Sequence, residues 1–259
     1  ILQADEHTAG LWHFDDPEDS DTVADSSSNG NDGKTFGAVR VPGYAGNALA
    51  FDATGTRVVV EGNPSLNVSD QITIEALIWS EETEPSRFVA FTNEARQRAG
   101  FGGRPFRISR DMTQGIVDRG PGLGGHGGYY LRLKLAQVDL AVSMPYTETF
   151  GETKLRPKTW YYVAGTYDNS TARVYVNGRL VGTRELGPGN LDAWTERAPL
   201  CIGYEATNPF VGVIDEVRIS NIARTPEEIQ ANWEAIRNVQ PATNDALEGA
   251  LAAARAKAP

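Results

Sequence analysis

The sequence has one cysteine, Cys201, so no disulfide can form within the chain. That argues against a small, disulfide-stapled ectodomain. Stability must come from a buried core, and 259 residues are enough to build one. Cys201 itself lies in Ala198–Tyr204 with no histidine or aspartate placed to activate it, and reads as a small buried apolar residue. No apolar run reaches the roughly 18 residues of a membrane-spanning helix. Positive charge is short: 24 Lys and Arg stand against 34 Asp and Glu, for a net charge of −10. Phosphate contacts need a cationic face, so the charge argues against duplex nucleic acid and against anionic membrane surfaces as partners. The acidity suits a secreted, extracellular or periplasmic protein and supplies carboxylates for divalent cations. The chain starts at Ile1 rather than Met, as expected of a chain whose leader has been removed.

What the sequence does have is turns. Its 27 glycines and 14 prolines break it into short apolar or alternating runs, the pattern of strands. Candidate strands are Gly10–Asp15, Asn47–Asp52, Thr56–Glu61, Gln71–Ser80, Phe88–Thr92, Tyr129–Leu135 and Gln137–Ser143. Thr159–Tyr167, Thr171–Val176, Arg179–Glu185, Pro199–Tyr204 and Val211–Ser220 follow. Strands so numerous and short, with no helices between them, predict an all-β, two-sheet antiparallel sandwich. Asn177-Gly178 marks a two-residue hairpin, because both residues tolerate positive φ. With Asp168-Asn169-Ser170 it predicts a three-stranded meander from Trp160 to Val181. Thr225-Pro226-Glu227-Glu228 is a capping box with proline at the first helical position, and Ile229, Trp233 and Ile236 follow at helical spacing. Gln240-Pro241-Ala242-Thr243 reads as a break. We therefore divide the chain into an N-terminal tail (1–9), a β domain (10–239) and an Ala-rich C-terminal tail or helix (240–259).

Several motifs, in order, carry a resemblance. They are Gly10-Leu11-Trp12-His13-Phe14-Asp15-Asp16, Asp25-Ser26-Ser27-Ser28-Asn29-Gly30-Asn31-Asp32-Gly33 and Gly46-Asn47-Ala48-Leu49-Ala50-Phe51-Asp52. Ile72–Trp79, Trp160–Asp168, Val174–Gly178 and Gly212–Asn221 continue the series. Together they resemble the bacterial laminin-G-like, concanavalin A-like jelly rolls. The resemblance implies a sandwich with a concave and a convex face. It also implies glycan binding on the concave face or its rim loops, and frequent use as an accessory module of larger secreted enzymes or adhesins. A minority of such jelly rolls are themselves glycosidases or polysaccharide lyases.

The resemblance further implies one structural Ca²⁺ on the convex side. Its ligands here would be the carbonyl of Phe14 or Asp15, the carbonyl of Gly46 and the carboxylate of Asp215. The acidic run Asp15–Asp21 lacks the glycine and closing glutamate of an EF-hand loop, and reads as solvated.

The segment from Arg87 to Arg132 is unusually long and rich in arginine and aromatic residues. Guanidinium forks pair with carboxylate or sulfate, and rings stack on sugars. We expect Arg107, Tyr129 and Arg132 to contact an acidic glycan, with Trp194 as an exposed stacking platform. His126, beside Tyr129 and Tyr130, is the candidate base if the protein is a lyase. It lies in a Gly-rich stretch, a poor platform for catalysis. No strand carries the alternating carboxylates of a retaining glucanase. Glu75 stands alone, and adjacent Asp215 and Glu216 are expected to point to opposite faces. No catalytic motif is evident. The leading expectation is a non-catalytic, lectin-like module for acidic glycans; the alternatives are a polysaccharide lyase and a protein-binding adhesion module.

Overall fold

The computed structural model describes residues 1–52, 56–68, 70–81, 113–119, 129–134, 137–143, 146–150, 153–186, 199–203 and 210–257. In chain order the strands are β1 (Thr8–Trp12), β2 (Thr22–Val23), β3 (Gly33–Phe36), β4 (Val39–Pro42), β5 (Asn47–Asp52), β6 (Arg57–Val60), β7 (Ile72–Ser80) and β8 (Thr113–Arg119). They continue as β9 (Tyr129–Lys134), β10 (Gln137–Ser143), β11 (Tyr146–Phe150), β12 (Trp160–Tyr167), β13 (Thr171–Val176), β14 (Arg179–Glu185), β15 (Leu200–Ile202) and β16 (Val211–Ser220). Two helices follow, α1 (Pro226–Ile236) and α2 (Asn244–Lys257). None of the described helices is long and apolar enough to cross a membrane.

The strands form two antiparallel sheets. The first runs β14-β13-β12-β7-β16-β5-β4, with β1 also paired to β16. The second runs β11-β10-β9-β8-β15-β6-β3-β2. Their facing sides share one core, in which Trp12, Phe14, Leu49, Phe51, Ile74, Ile78, Val163, Ile214 and Val217 meet Val58, Val60, Leu140, Leu200 and Ile202. The predicted meander is β12-β13-β14. Its hairpin turns on Asn177 (φ 49°) and Gly178 (φ 74°), which supply the left-handed backbone that a tight turn between twisted strands needs.

All nine residues of β7 are buried, which a strand covered on one face only would not show. The second cover is helical. On the outer side of the first sheet, Ile229 and Ile236 of α1 join Leu11, Leu77, Tyr162 and Tyr175. Leu247 and Leu251 of α2 join Val41, Ala48, Trp79 and Val213. The Trp79 Nε1 donates to Asn244 Oδ1 at 2.8 Å, tying α2 to the sheet.

Several elements differ from expectation. β1 starts at Thr8 and ends at Trp12, because Phe14 takes φ 64° and turns the chain. Residues 1–9 do not trail as a tail, since Leu2 is buried and Thr8 and Ala9 belong to β1. β2, β3, β4, β8 and β11 were not foreseen; β2, β3 and β4 are too short to show a period. The expected strand Phe88–Thr92 lies outside the described residues. Thr225 caps α1 as expected, accepting from Glu228 N while Glu228 Oε2 accepts from Thr225 N at 2.7 Å. Thr225→Ala should cost about 1 kcal/mol. Leu251→Ala, which leaves a cavity under α2, should cost about 2–5 kcal/mol. Denaturant midpoints would measure both.

Candidate functional site

Two residues, where a regular strand has one, separate the core residues Ile214 and Val217 on β16. They are Asp215 and Glu216, and the pairing with β7 shifts register there. Glu216 takes φ 51°, so this is a β-bulge. The extra residue cancels the alternation, and both carboxylates lie buried on the outer side of the sheet. The expectation that they face opposite ways is therefore wrong, because it assumed an unbroken pleat. The bulge falls where β16 changes partners. Val211–Ile214 pair with β5, and Val217–Ser220 pair with β1.

Each carboxylate holds one of those neighbours. Asp215 Oδ2 accepts from Tyr44 N (2.8 Å) and Ala45 N (3.1 Å), and Oδ1 accepts from Glu216 N (2.8 Å). From the other side of the same turn, Asp15 Oδ1 accepts from Asn47 N at 2.7 Å. The turn closes with Gly43 N donating to Gly46 O at 2.9 Å. Gly46 has φ 72°, and a Cβ there would lie 2.2 Å from Asp15 Oδ1, so a side chain is excluded on both counts. Asp15 and Asp215 thus brace the Gly43–Asn47 turn from two sides. Burial, and then the neighbouring charge of Glu216, push the Asp215 carboxyl well above its usual range. Glu216 accepts from Leu2 N (2.7 Å) and pairs with His13 Nδ1 (2.6 Å). That bond, against the opposing effect of burial, raises the His13 pKa.

A second buried cluster lies under α1. Glu75 takes a two-pronged contact from Arg218, Nε to Oε2 at 2.7 Å and Nη2 to Oε1 at 2.9 Å. Glu75 Oε1 also accepts from the Tyr162 hydroxyl and, at 2.9 Å, from Asn232 Nδ2 on α1. Arg224 holds Asp5 through Nη2 at 2.9 and 2.7 Å. Glu75 therefore is not alone, but its partners saturate it and the helix seals it from any substrate.

Of the expected ligand residues, Arg107, His126 and Trp194 lie outside the described residues. Tyr129 and Arg132 are on β9, where Arg132 pairs with Gly115 of β8 and Asp139 of β10. The second sheet carries further residues that sequence reasoning missed. Val58, Val60, Leu200 and Ile202 point into the core, so Arg57, Val59 and Cys201 alternate outward. Cys201 is thus half-buried on the outer side rather than in the core. Lys34 pairs with Val59, which pairs with Cys201, and Phe36 pairs with Arg57. The Arg57 guanidinium sits 4.8 Å above the Phe36 ring. Among the described residues, no helix packs on this side. The alternation of Gly33-Lys34-Thr35-Phe36 was the available signal, but four residues are too few to read alone.

Among the described residues, no three Asp, Glu, His or Cys side chains gather to hold a metal ion. Residues 104–230 match the Laminin_G_3 family model, described as the concanavalin A-like lectin/glucanases superfamily. No curated protein sequence matches the chain. Among solved structures, the binding domain of Paraclostridial Mosquitocidal Protein 1 is similar, with TM-score 0.64, 14% identity, and coverage of 90% of this chain and 53% of that one. Domain 4 of AbnA, a GH43 extracellular arabinanase from Geobacillus stearothermophilus, in complex with arabinotriose, has TM-score 0.58 and 17% identity, covering 86% of this chain and 97% of that one. The binding domain of Botulinum Neurotoxin DC in complex with SialylT has TM-score 0.61 and 12% identity, covering 90% and 52%. The chain thus spans about half the length of the toxin chains it matches. At these identities the likeness is one of fold.

Two predictions follow the buried charges. Arg218→Met strands Glu75 without its cation and should cost about 3–5 kcal/mol, read from the unfolding midpoint. His13 has a folded pKa above its ordinary 6.5, so its pairing with Glu216 stabilises fully below that value and loses its effect as pH rises through the folded pKa. The melting-temperature advantage of the parent protein over His13→Gln should accordingly shrink on going from acid to alkaline buffer.

Proposed function

We propose that this chain, with its laminin-G-like, concanavalin A-like jelly-roll fold, serves as a secreted, non-catalytic carbohydrate-binding module with a preference for acidic glycans. The observation that carries this reading is the asymmetry of the sandwich. Both helices lie on the first sheet, and among the described residues none covers the second. A sheet face on which no described helix packs suits an extended polymer. The AbnA domain was solved with arabinotriose and the neurotoxin binding domain with SialylT, which supports a saccharide as the ligand here. The residues from Arg87 onward lead into β8 and β9 of that second sheet, so Arg107, His126, Tyr129, Arg132 and Trp194 remain our choices for further contacts. A catalytic role draws no support from Glu75, which its partners seal, or from Asp215 and Glu216, which accept backbone N–H groups.

The reading includes a structural Ca²⁺ at the corner of Phe14, Asp15, Gly46 and Asp215. The residues fit such an ion. The donors there are carboxylates and carbonyls, the hard oxygens calcium prefers, and the ion would have to share them with the N–H groups they now accept. Asp215 is fully buried with a second acid beside it and a raised pKa, a charge that a cation would relieve. The ion would supply charge compensation and hold β1, the Gly43–Gly46 turn and β16 together.

Stripped with EDTA and titrated with Ca²⁺ in a calorimeter, the protein should take up the ion and melt at higher temperature, while Asp215→Asn should do neither. No heat from the parent protein would reject the metal. Incubated with acidic and neutral polysaccharides, it should be retained on the acidic ones without releasing products. Unsaturated uronates in the supernatant would make it a lyase instead.

A further inference from the structure

β1 pairs with β16 along one edge, and among the described strands none pairs with the other. A loop covers that edge instead. Ser26 N donates to Leu11 O at 2.7 Å, and Asp25 Oδ1 accepts from Leu11 N at 2.9 Å. At the irregular step between Thr8 and Gly10, two asparagine side chains finish the cover. Asn29 Nδ2 donates to Thr8 O at 2.9 Å and to Ala9 O at 3.2 Å, and Asn31 Nδ2 donates to Ala9 O at 2.7 Å. Asn31 is buried, whereas Asn29 and the residue after it, Gly30, are exposed. Gly30 has φ 65°, and a Cβ there would meet nothing within 4 Å. Among the described residues, no group donates to Asn29 Oδ1 or accepts the Gly30 N–H.

Asparagine followed by glycine is the pair in which a backbone amide most easily attacks the preceding side chain, since glycine has no Cβ to hinder ring closure. We propose that Asn29 is a site of spontaneous deamidation, and that its conversion uncovers the free edge of β1. Gly30 N gives up its proton to hydroxide and bonds to Asn29 Cγ. The Cγ–Nδ2 bond breaks, and the nitrogen takes a proton from water and leaves as ammonia. Water then opens the five-membered imide at either carbonyl, giving aspartate or isoaspartate. Either product lacks the N–H groups that Asn29 offered to Thr8 and Ala9. Oxygen then faces oxygen, in a loop that already carries Asp25 and Asp32. The chain has a second such pair, Asn177-Gly178, but its hairpin holds it. Asn177 N donates to Tyr162 O at 2.7 Å, and Asn177 Oδ1 accepts from Tyr162 N at 3.0 Å. Gly178 is buried, and a Cβ on it would lie 3.0 Å from Trp233 Cβ of α1. Ring closure there would have to break the hairpin.

The test incubates the full chain in alkaline buffer, below its melting temperature, and maps its peptides by mass spectrometry. The peptide that holds Asn29 should gain the mass of one deamidation, faster as pH rises, and should accept methyl groups from an isoaspartyl methyltransferase. The Asn177 peptide should convert about tenfold more slowly or less, the effect of the hydrogen bonds that ring closure must break. In urea both should convert at similar rates. Asn29→Asp should lower the melting temperature by about 2–4 °C. Asn29→Gln, which closes a ring far less easily, should hold its own melting temperature through the incubation in which that of the parent protein falls. An Asn29 peptide that keeps its mass in the folded protein while converting in urea would overturn the site. Conversion of Asn177 as fast as Asn29 would overturn the selectivity assigned to the hairpin. Conversion that leaves the melting temperature unmoved, with Asn29→Asp melting as the parent does, would overturn the part given to the Asn29 amide in covering β1.

Discussion

The structure depends on a break in one strand. β16 is an inner strand of the first sheet, with β7 along one flank and two successive partners on the other. A regular strand would carry its inward and outward alternation straight through that junction. The bulge at Asp215 and Glu216 inserts one residue and resets the phase, so that Ile214 and Val217 both reach the core. The two displaced carboxylates then find the free N–H groups that a change of partner creates. Asp215 takes the turn before β5, and Glu216 takes the chain before β1. Unpaired buried N–H groups would each cost about 1–3 kcal/mol, so the acids and the junction require each other.

Much of this was legible in the sequence. The Asn177-Gly178 hairpin, the capping box at Thr225 and the long apolar run of β7 each have a local physical cause, and each appears where its cause lies. The bulge did not announce itself, because Asp215-Glu216 reads as an ordinary break in an apolar strand. Its purpose depends on Tyr44, Ala45 and Leu2, residues far away in the chain. Leu2 shows the same limit. Near a chain end a lone leucine carries no period, and only the groove between β1 and α1 makes it core.

The candidate site divides along similar lines. The positive φ of Phe14 and Gly46 explains how the chain turns sharply enough for Asp15 and Asp215 to brace one loop. Phe36 and Arg57 were missed because their meaning lies in pairing across the ladder. In sequence they are twenty-one residues apart and in different turns-and-strands patterns; on the sheet they are opposite each other. The sealed cluster of Glu75, Arg218 and Tyr162 teaches the converse. Its composition resembles reactive chemistry, yet its saturation by Asn232 and its cover by α1 make it a clasp.

The late position of β16 in the chain also governs how the molecule is made. β16 is synthesised after β7, β5 and β1, all the strands it pairs with, and Leu2 waits 214 residues for Glu216. Until that strand emerges, β5 and β7 present unpaired edges and no sandwich can close. Contacts so distant in sequence slow folding, because loop closure must precede the gain from pairing. Between the emergence of β5 and that of β16 the nascent chain carries open strand edges, the state most prone to pair with other chains.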